Sequence, residues 1–235
     1  MENVTKFLNT TTGRDKVNRF VQYFSRFLVW HAQRSGYTKE AIASLAALMT
    51  LAGQTRKMMR VGRQSEFLRA AYRSLSITDE VVRVTTVVKN LGMALWLSQD
   101  ALQLFHAAGV RKLDNIKTVA RRGNTGWLVA LLASLVCNLY KINVVNMRLV
   151  QERKLLKAVA TQTVKDDSVE SVNKSIAALN REKGDLAFAA VQDSLDILIP
   201  ATALEYVHIE SGIVGLAGAI TAIMGGYTHW KSLFS

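Results

Sequence analysis

Cysteine, proline and histidine are all scarce in this chain of 235 residues, and each scarcity removes a class of protein. A single cysteine, Cys137, excludes a disulfide framework and a thiolate metal site, and it suits a reducing compartment. A single proline, Pro200, leaves almost the whole chain free to run as helix. His31, His106, His208 and His229 stand far apart, at none of the short spacings that assemble a metal centre. The opening "MENVTKFLNTTTG" has no continuous apolar stretch and no small-residue cleavage site, so no secretory signal is expected there. Acidic residues are the minority charge: 18 Asp and Glu face 30 Lys and Arg, for a net charge of +12. That excess calls for an anionic partner, either phosphodiester or phospholipid.

What is present is apolar and helical. Of all residues 49% are apolar, and they recur at helical rather than alternating spacing, so the fold class is all-α. Thr12 and Asp15 read as a capping box that starts a helix near Gly13. Beyond it Val17, Phe20, Val21, Phe24, Phe27, Leu28 and His31 share one face, with Arg19, Gln22, Arg26 and Gln33 opposite. Such a helix suits a membrane interface or a soluble helix contact, and both readings stand.

The densest basic stretch is "TRKMMRVGRQSEFLRAAYR", residues 55–73. Read as one helix over about 52–75, it presents Leu51, Met58, Val61, Leu68, Tyr72 and Leu75 on a face about 120° wide. Arg56, Lys57, Arg60, Arg63, Arg69 and Arg73 take the other side and its edges, interrupted by Glu66. A membrane-inserting apolar face beside a membrane-binding basic face is the composition of an interfacial helix. A nucleic-acid reading would add aromatic platforms, but Phe67 and Tyr72 lie on different faces, so no nucleic-acid partner is expected.

Two uncharged segments reach the length of a bilayer span. Residues 123–140, "GNTGWLVALLASLVCNLY", carry no charge and extend roughly 27 Å as a helix. Residues 211–230, "SGIVGLAGAITAIMGGYTHW", stack Ser211, Gly215 and Ala219, and Gly218, Ala222 and Gly226, at intervals of four. That small-residue face predicts self-association or close packing on another span. A third apolar segment, 90–110, holds Asp100 at its middle, in a polar stripe with Gln99, Gln103 and His106. A charge there needs a partner or a water-filled cavity, so the stripe lies in a helix bundle or lines a pore.

These segments divide the chain into an amphipathic region (1–84), central helices (85–160), an exposed polar loop (161–183) and a carboxy-terminal helical region (184–235). Gly212, Gly215 and Gly218 sit inside an apolar helix, so they form neither a dinucleotide nor a phosphate loop. Asp193 and Asp196 read as a solvated helix face rather than acid/base machinery. No nucleophile, metal or cofactor can be nominated, and the chain reads as a non-enzyme. The whole is an integral membrane helical protein with amphipathic interfacial helices and at least two spans.

With "GRDKVNRFVQYFSRFL", "TRKMMRVGR", Asp100, "LDILIPATAL" and "GIVGLAGAITAIMGGYTHW" occurring in this order, the chain resembles the peroxin eleven family, and its fungal branch in particular. That family elongates and divides peroxisomes. The resemblance implies a peroxisomal membrane protein whose helix at about 52–75 enters the cytosolic leaflet and curves it. It also implies a homo-oligomer that works with a dynamin-related GTPase and its membrane fission adaptor. An alternative implied function is a peroxisomal membrane channel for small metabolites, with Gln99, Asp100, Gln103 and His106 along the pore.

Overall fold

A computed structural model describes residues 1–161 and 166–234, and among them no strand occurs. The helices are α1 (Glu2–Leu8), α2 (Thr11–Arg34), α3 (Lys39–Met59), α4 (Gln64–Ser74), α5 (Glu80–Ala107), α6 (Ile116–Thr161), α7 (Asp166–Ala203) and α8 (Ser211–Phe234). The fold class is thus all-α, as composition and periodicity require.

Helix starts follow capping chemistry, shifted from the sequence expectation in one place. The cap of α2 is Thr10 rather than Thr12: its hydroxyl accepts from the Gly13 amide at 2.9 Å, which satisfies an orphan donor. Asp15 is thereby released from capping and turns into the protein interior. Thr38 caps α3 and Asp79 caps α5 in the same way.

Six helices close a circuit in which α2 packs on α3, α3 on α5, α5 on α6, α6 on α7, α7 on α8, and α8 back on α2. The helix α4 lies outside this circuit, against α5. Close approach is built from small residues. A Cβ on Gly92 of α5 would come within 2.5 Å of the Gly126 carbonyl oxygen of α6, so those two backbones meet where only glycine fits.

Among the described residues three helices are long and apolar enough to cross a membrane: α6 over residues 116–158, α7 over 169–203 and α8 over 211–234. Two of them contain the segments 123–140 and 211–230. The third, α7, escapes a search for uncharged runs because Asp193 and Asp196 interrupt it. With 46 residues, α6 is roughly 69 Å long and must project well beyond a bilayer. The loop expected at 161–183 is not found: Asp166 onward is already α7, while residues 162–165 lie outside the described residues.

Polarity runs outside-in. Asp15, Arg19, Arg56, Arg60, Asp100 and Asp196 are buried. Meanwhile Val129, Leu132, Val136 and Leu139 on α6, and Ile213, Leu216, Ile220 and Ile223 on α8, face outward. In water that distribution would expose a large apolar surface, whereas in lipid each of these side chains meets its own kind. The same inversion applies to α2, where Val17 and Phe24 are exposed and Arg19, expected on the open polar face, is buried.

Candidate functional site

The basic stretch 55–73 is not one helix. Arg60 leaves α3, Gly62 adopts φ +88°, a left-handed conformation open to glycine, and the chain restarts as α4 at Gln64. The break separates the cations into two groups with different surroundings.

The first group turns inward, contrary to the expected lipid-facing role. Arg56 donates to Asp15 at 3.1 Å and to Gln22 at 2.8 Å. Arg60 donates to Asp100 at 2.5 Å, and its guanidinium lies 4.6 Å from the ring centre of Trp96, which itself stacks on Trp127 of α6. Lys57 lies 3.5 Å from the other Asp100 oxygen and donates to Gln103 at 3.0 Å. The reason is complementarity: carboxylates on α2 and α5 face the end of α3, and a buried charge persists only when paired. Burial pushes Asp15 up, but Arg56 and Arg60 outweigh it and hold the carboxyl below its ordinary value. Burial, with Arg60 alongside, brings Arg56 down to about 10.

The second group lies nearer the surface, with Arg63 half-buried. Arg63 pairs with Glu66 across one turn at 3.3 Å, and Arg69 and Arg73 are exposed. Around α4 three faces follow one another. Ala71 and Ser74 are buried against α5; Leu68, Tyr72 and the adjoining Leu75 stand open; Arg69 and Arg73 occupy the remaining arc. Leu51, Met58 and Val61 are open as well, so all six apolar positions of the stretch lie on the surface, while of its six cations only Arg69 and Arg73 are exposed.

The polar stripe of α5 is absorbed into helix contacts. Asp100 and Gln103 bind α3 as described; Gln99 packs on Gly123 of α6; His106 accepts the Leu113 amide at 2.9 Å through Nδ1. This is the bundle arrangement of the two that the stripe allows.

The small-residue face of α8 is occupied within the chain. A Cβ on Gly215 would meet the Phe27 amide nitrogen at 2.7 Å, and one on Gly218 would meet the Tyr23 ring at 2.3 Å. Ala219 and Ala222 are buried on this side, Ser211 accepts from Arg26 at 3.0 Å, and Gly226 lies against Lys16. The face serves packing on α2, and it is not open to a second copy.

Three interior residues carry more than sequence reasoning assigned to them. Asp196, read there as part of a solvated face, is buried and pairs with Arg19, which also donates to Thr221 at 2.9 Å. Lys16, on the same side of α2, is held down to about 8 by burial and then by the neighbouring Arg19 charge. The signal available was the polar series Asp15, Lys16, Arg19 and Gln22 opposite an apolar stripe, which in lipid points inward. Among the described residues no group of His, Cys, Asp or Glu could hold a metal ion.

The sequence pattern of the family described as Peroxisomal biogenesis factor 11 (PEX11) matches residues 1–230. Similar proteins include Peroxisomal biogenesis factor 11 of Schizosaccharomyces pombe, 23% identical across 97% of this chain and 93% of the relative. Peroxisomal membrane protein PMP27 of Saccharomyces cerevisiae is 29% identical over 97% of this chain and 93% of its own length. Peroxisomal membrane protein 11A of Homo sapiens is 26% identical over 97% and 96%. No solved structure matches. With the motifs, the inverted polarity and an end-to-end match in agreement, the chain belongs to the peroxisomal biogenesis factor 11 family and is a peroxisomal membrane protein.

Proposed function

We propose that this protein bends and elongates the peroxisomal membrane by lodging α4 in one leaflet, beside spans that hold it there, and so promotes peroxisome division. One observation supports the reading above all: α4 presents Leu68, Tyr72 and Leu75 to the outside next to exposed Arg69 and Arg73, while its third side is fixed to α5. Burying an apolar side chain contributes up to about 1.5–3 kcal/mol, and each basic residue near an anionic leaflet about 1 kcal/mol. Both act on α4 without requiring its ionic neighbours in α3. A helix inserted in one leaflet expands that leaflet, and curvature relieves the mismatch.

The partners of this function are anionic phospholipid, further copies of the chain that raise the density of wedges, and a dynamin-related GTPase with its membrane adaptor, which the family resemblance implies for scission. The chain acts mechanically and without catalysis. The test is reconstitution of the full-length protein into liposomes that contain anionic phospholipid, imaged by electron microscopy. The double variant Leu68→Asp, Tyr72→Asp is expected to insert its spans and form no tubules; undiminished tubulation by that variant overturns the wedge.

A further inference from the structure

Between α2, α3, α5, α6 and α7, with Phe67 of α4 at one side, lies a cavity of about 240 Å³. Six cations and three carboxylates stand in its wall, among apolar and neutral polar side chains. Once the three buried guanidinium–carboxylate pairs are set aside, and Arg63 at the rim with Glu66, the cavity retains Lys16 and Lys89 against one carboxylate, Asp193. Asp193 accepts from Asn138 at 2.9 Å, and Ser134 and the Lys89 charge also act on it, so Lys16 is the less compensated of the two cations. Lys89 donates to a neutral group, Ser134 Oγ, at 3.0 Å. The Lys16 ammonium forms no hydrogen bond or ion pair among the described residues, and burial with the Arg19 charge already holds it at about 8. Arg19 lines the same cavity, and its Nε is fully buried with no acceptor among the described residues. A buried guanidinium nitrogen without an acceptor is costly, and so is an unpaired ammonium; an anion in the cavity would satisfy both.

We propose that this cavity is a binding site for a phosphoryl oxyanion, held by Lys16 and Arg19 from α2 and by Lys89 from α5. Three cationic side chains line one space, with the Lys16 ammonium resting against Gly225 of α8, and they suit an acceptor with three or more oxygens, which a phosphate offers and a carboxylate, with two, does not. The cavity has room for several waters, so the anion can arrive partly hydrated. Lys89 and Asp193 also line a larger open cleft between α6, α7 and α8, which supplies a route inward. The phosphoryl group can belong to a soluble phosphate or to a phospholipid headgroup that enters between helices. Phe67 of α4 lines the cavity, but the site does not rest on the wedge reading.

The test uses the full-length protein in nanodiscs of neutral phosphatidylcholine. Calorimetric titration with inorganic phosphate, at ionic strength held constant with chloride, forms one arm. The other arm adds phosphatidic acid to the nanodiscs and measures, by mass spectrometry, the lipid that stays bound after detergent extraction. Lys16→Gln and Lys89→Gln remove a site cation without breaking an ion pair, and Lys112→Gln, on an exposed connection, removes the same charge elsewhere. Binding in the first arm that falls roughly tenfold or more in the two site variants and is unchanged in Lys112→Gln identifies a soluble phosphate site. The same pattern in the second arm alone identifies a headgroup site. No binding in either arm, or equal binding by all three variants, overturns the proposal.

Discussion

Arg56 and Arg60 at the end of α3 are 5% and 8% exposed, while Arg69 and Arg73, two helical turns further on in α4, stand in the open. The residue type is the same and the helices are neighbours, so propensity cannot explain the difference. What differs is the opposite wall. Asp15 and Asp100 face α3 from α2 and α5, whereas the residues that α4 buries, Ala71 and Ser74, are small and uncharged. An arginine with a carboxylate in reach becomes part of the interior; one without it remains available to phosphate. The basic stretch thus contains a structural clamp and a surface patch, divided at Gly62.

The clamp is where the largest effect should appear. Arg60→Ala leaves Asp100 buried with only Lys57 nearby and is expected to cost about 3 kcal/mol, read as a lowered thermal midpoint of the detergent-solubilised protein. A midpoint like that of the parent protein would erase the distinction between the two groups. Next comes the contact that anchors the clamp's own scaffold. Gly218→Val would drive a side chain into the Tyr23 ring and should cost about 1–3 kcal/mol in the same assay. Ile223→Val, on the outward side of the same helix, should change little. The surface patch should respond in the opposite manner. Arg69→Gln with Arg73→Gln is expected to leave the thermal midpoint in place and to weaken α4's attraction to anionic leaflets by about 1 kcal/mol per residue. Vesicle tubulation at increasing salt is the readout, and the parent should lose tubulation with salt more steeply than the double variant.

Much of this was legible before any coordinates, because the relevant physics is local. The spans at 123–140 and 211–230 declare themselves by length and apolarity, and Leu68, Tyr72 and Leu75 share a face by helical period alone. The small-residue face of α8 also announces close packing, but its partner is α2 in the same chain, a choice made by the Tyr23 and Phe27 surface that periodicity does not display. The span in α7 stays hidden because Asp193 and Asp196 lower its apparent hydropathy, although Arg19 removes the charge of Asp196 from lipid. Arg56 and Arg60 are the sharpest case. Their burial depends on Asp15 and Asp100, which are about forty positions away in opposite directions along the chain, and a helical wheel holds no long-range information.

The membrane seat of α4 can be measured directly by spin-label accessibility. After Cys137→Ala removes the single native thiol, nitroxides are attached one at a time at Leu68→Cys, Tyr72→Cys and Arg73→Cys in the full-length protein in anionic nanodiscs. The first two labels should collide with oxygen more than with an aqueous nickel chelate, and the third should show the reverse. Preference for the chelate at all three positions would place α4 in water and contradict its role as a wedge.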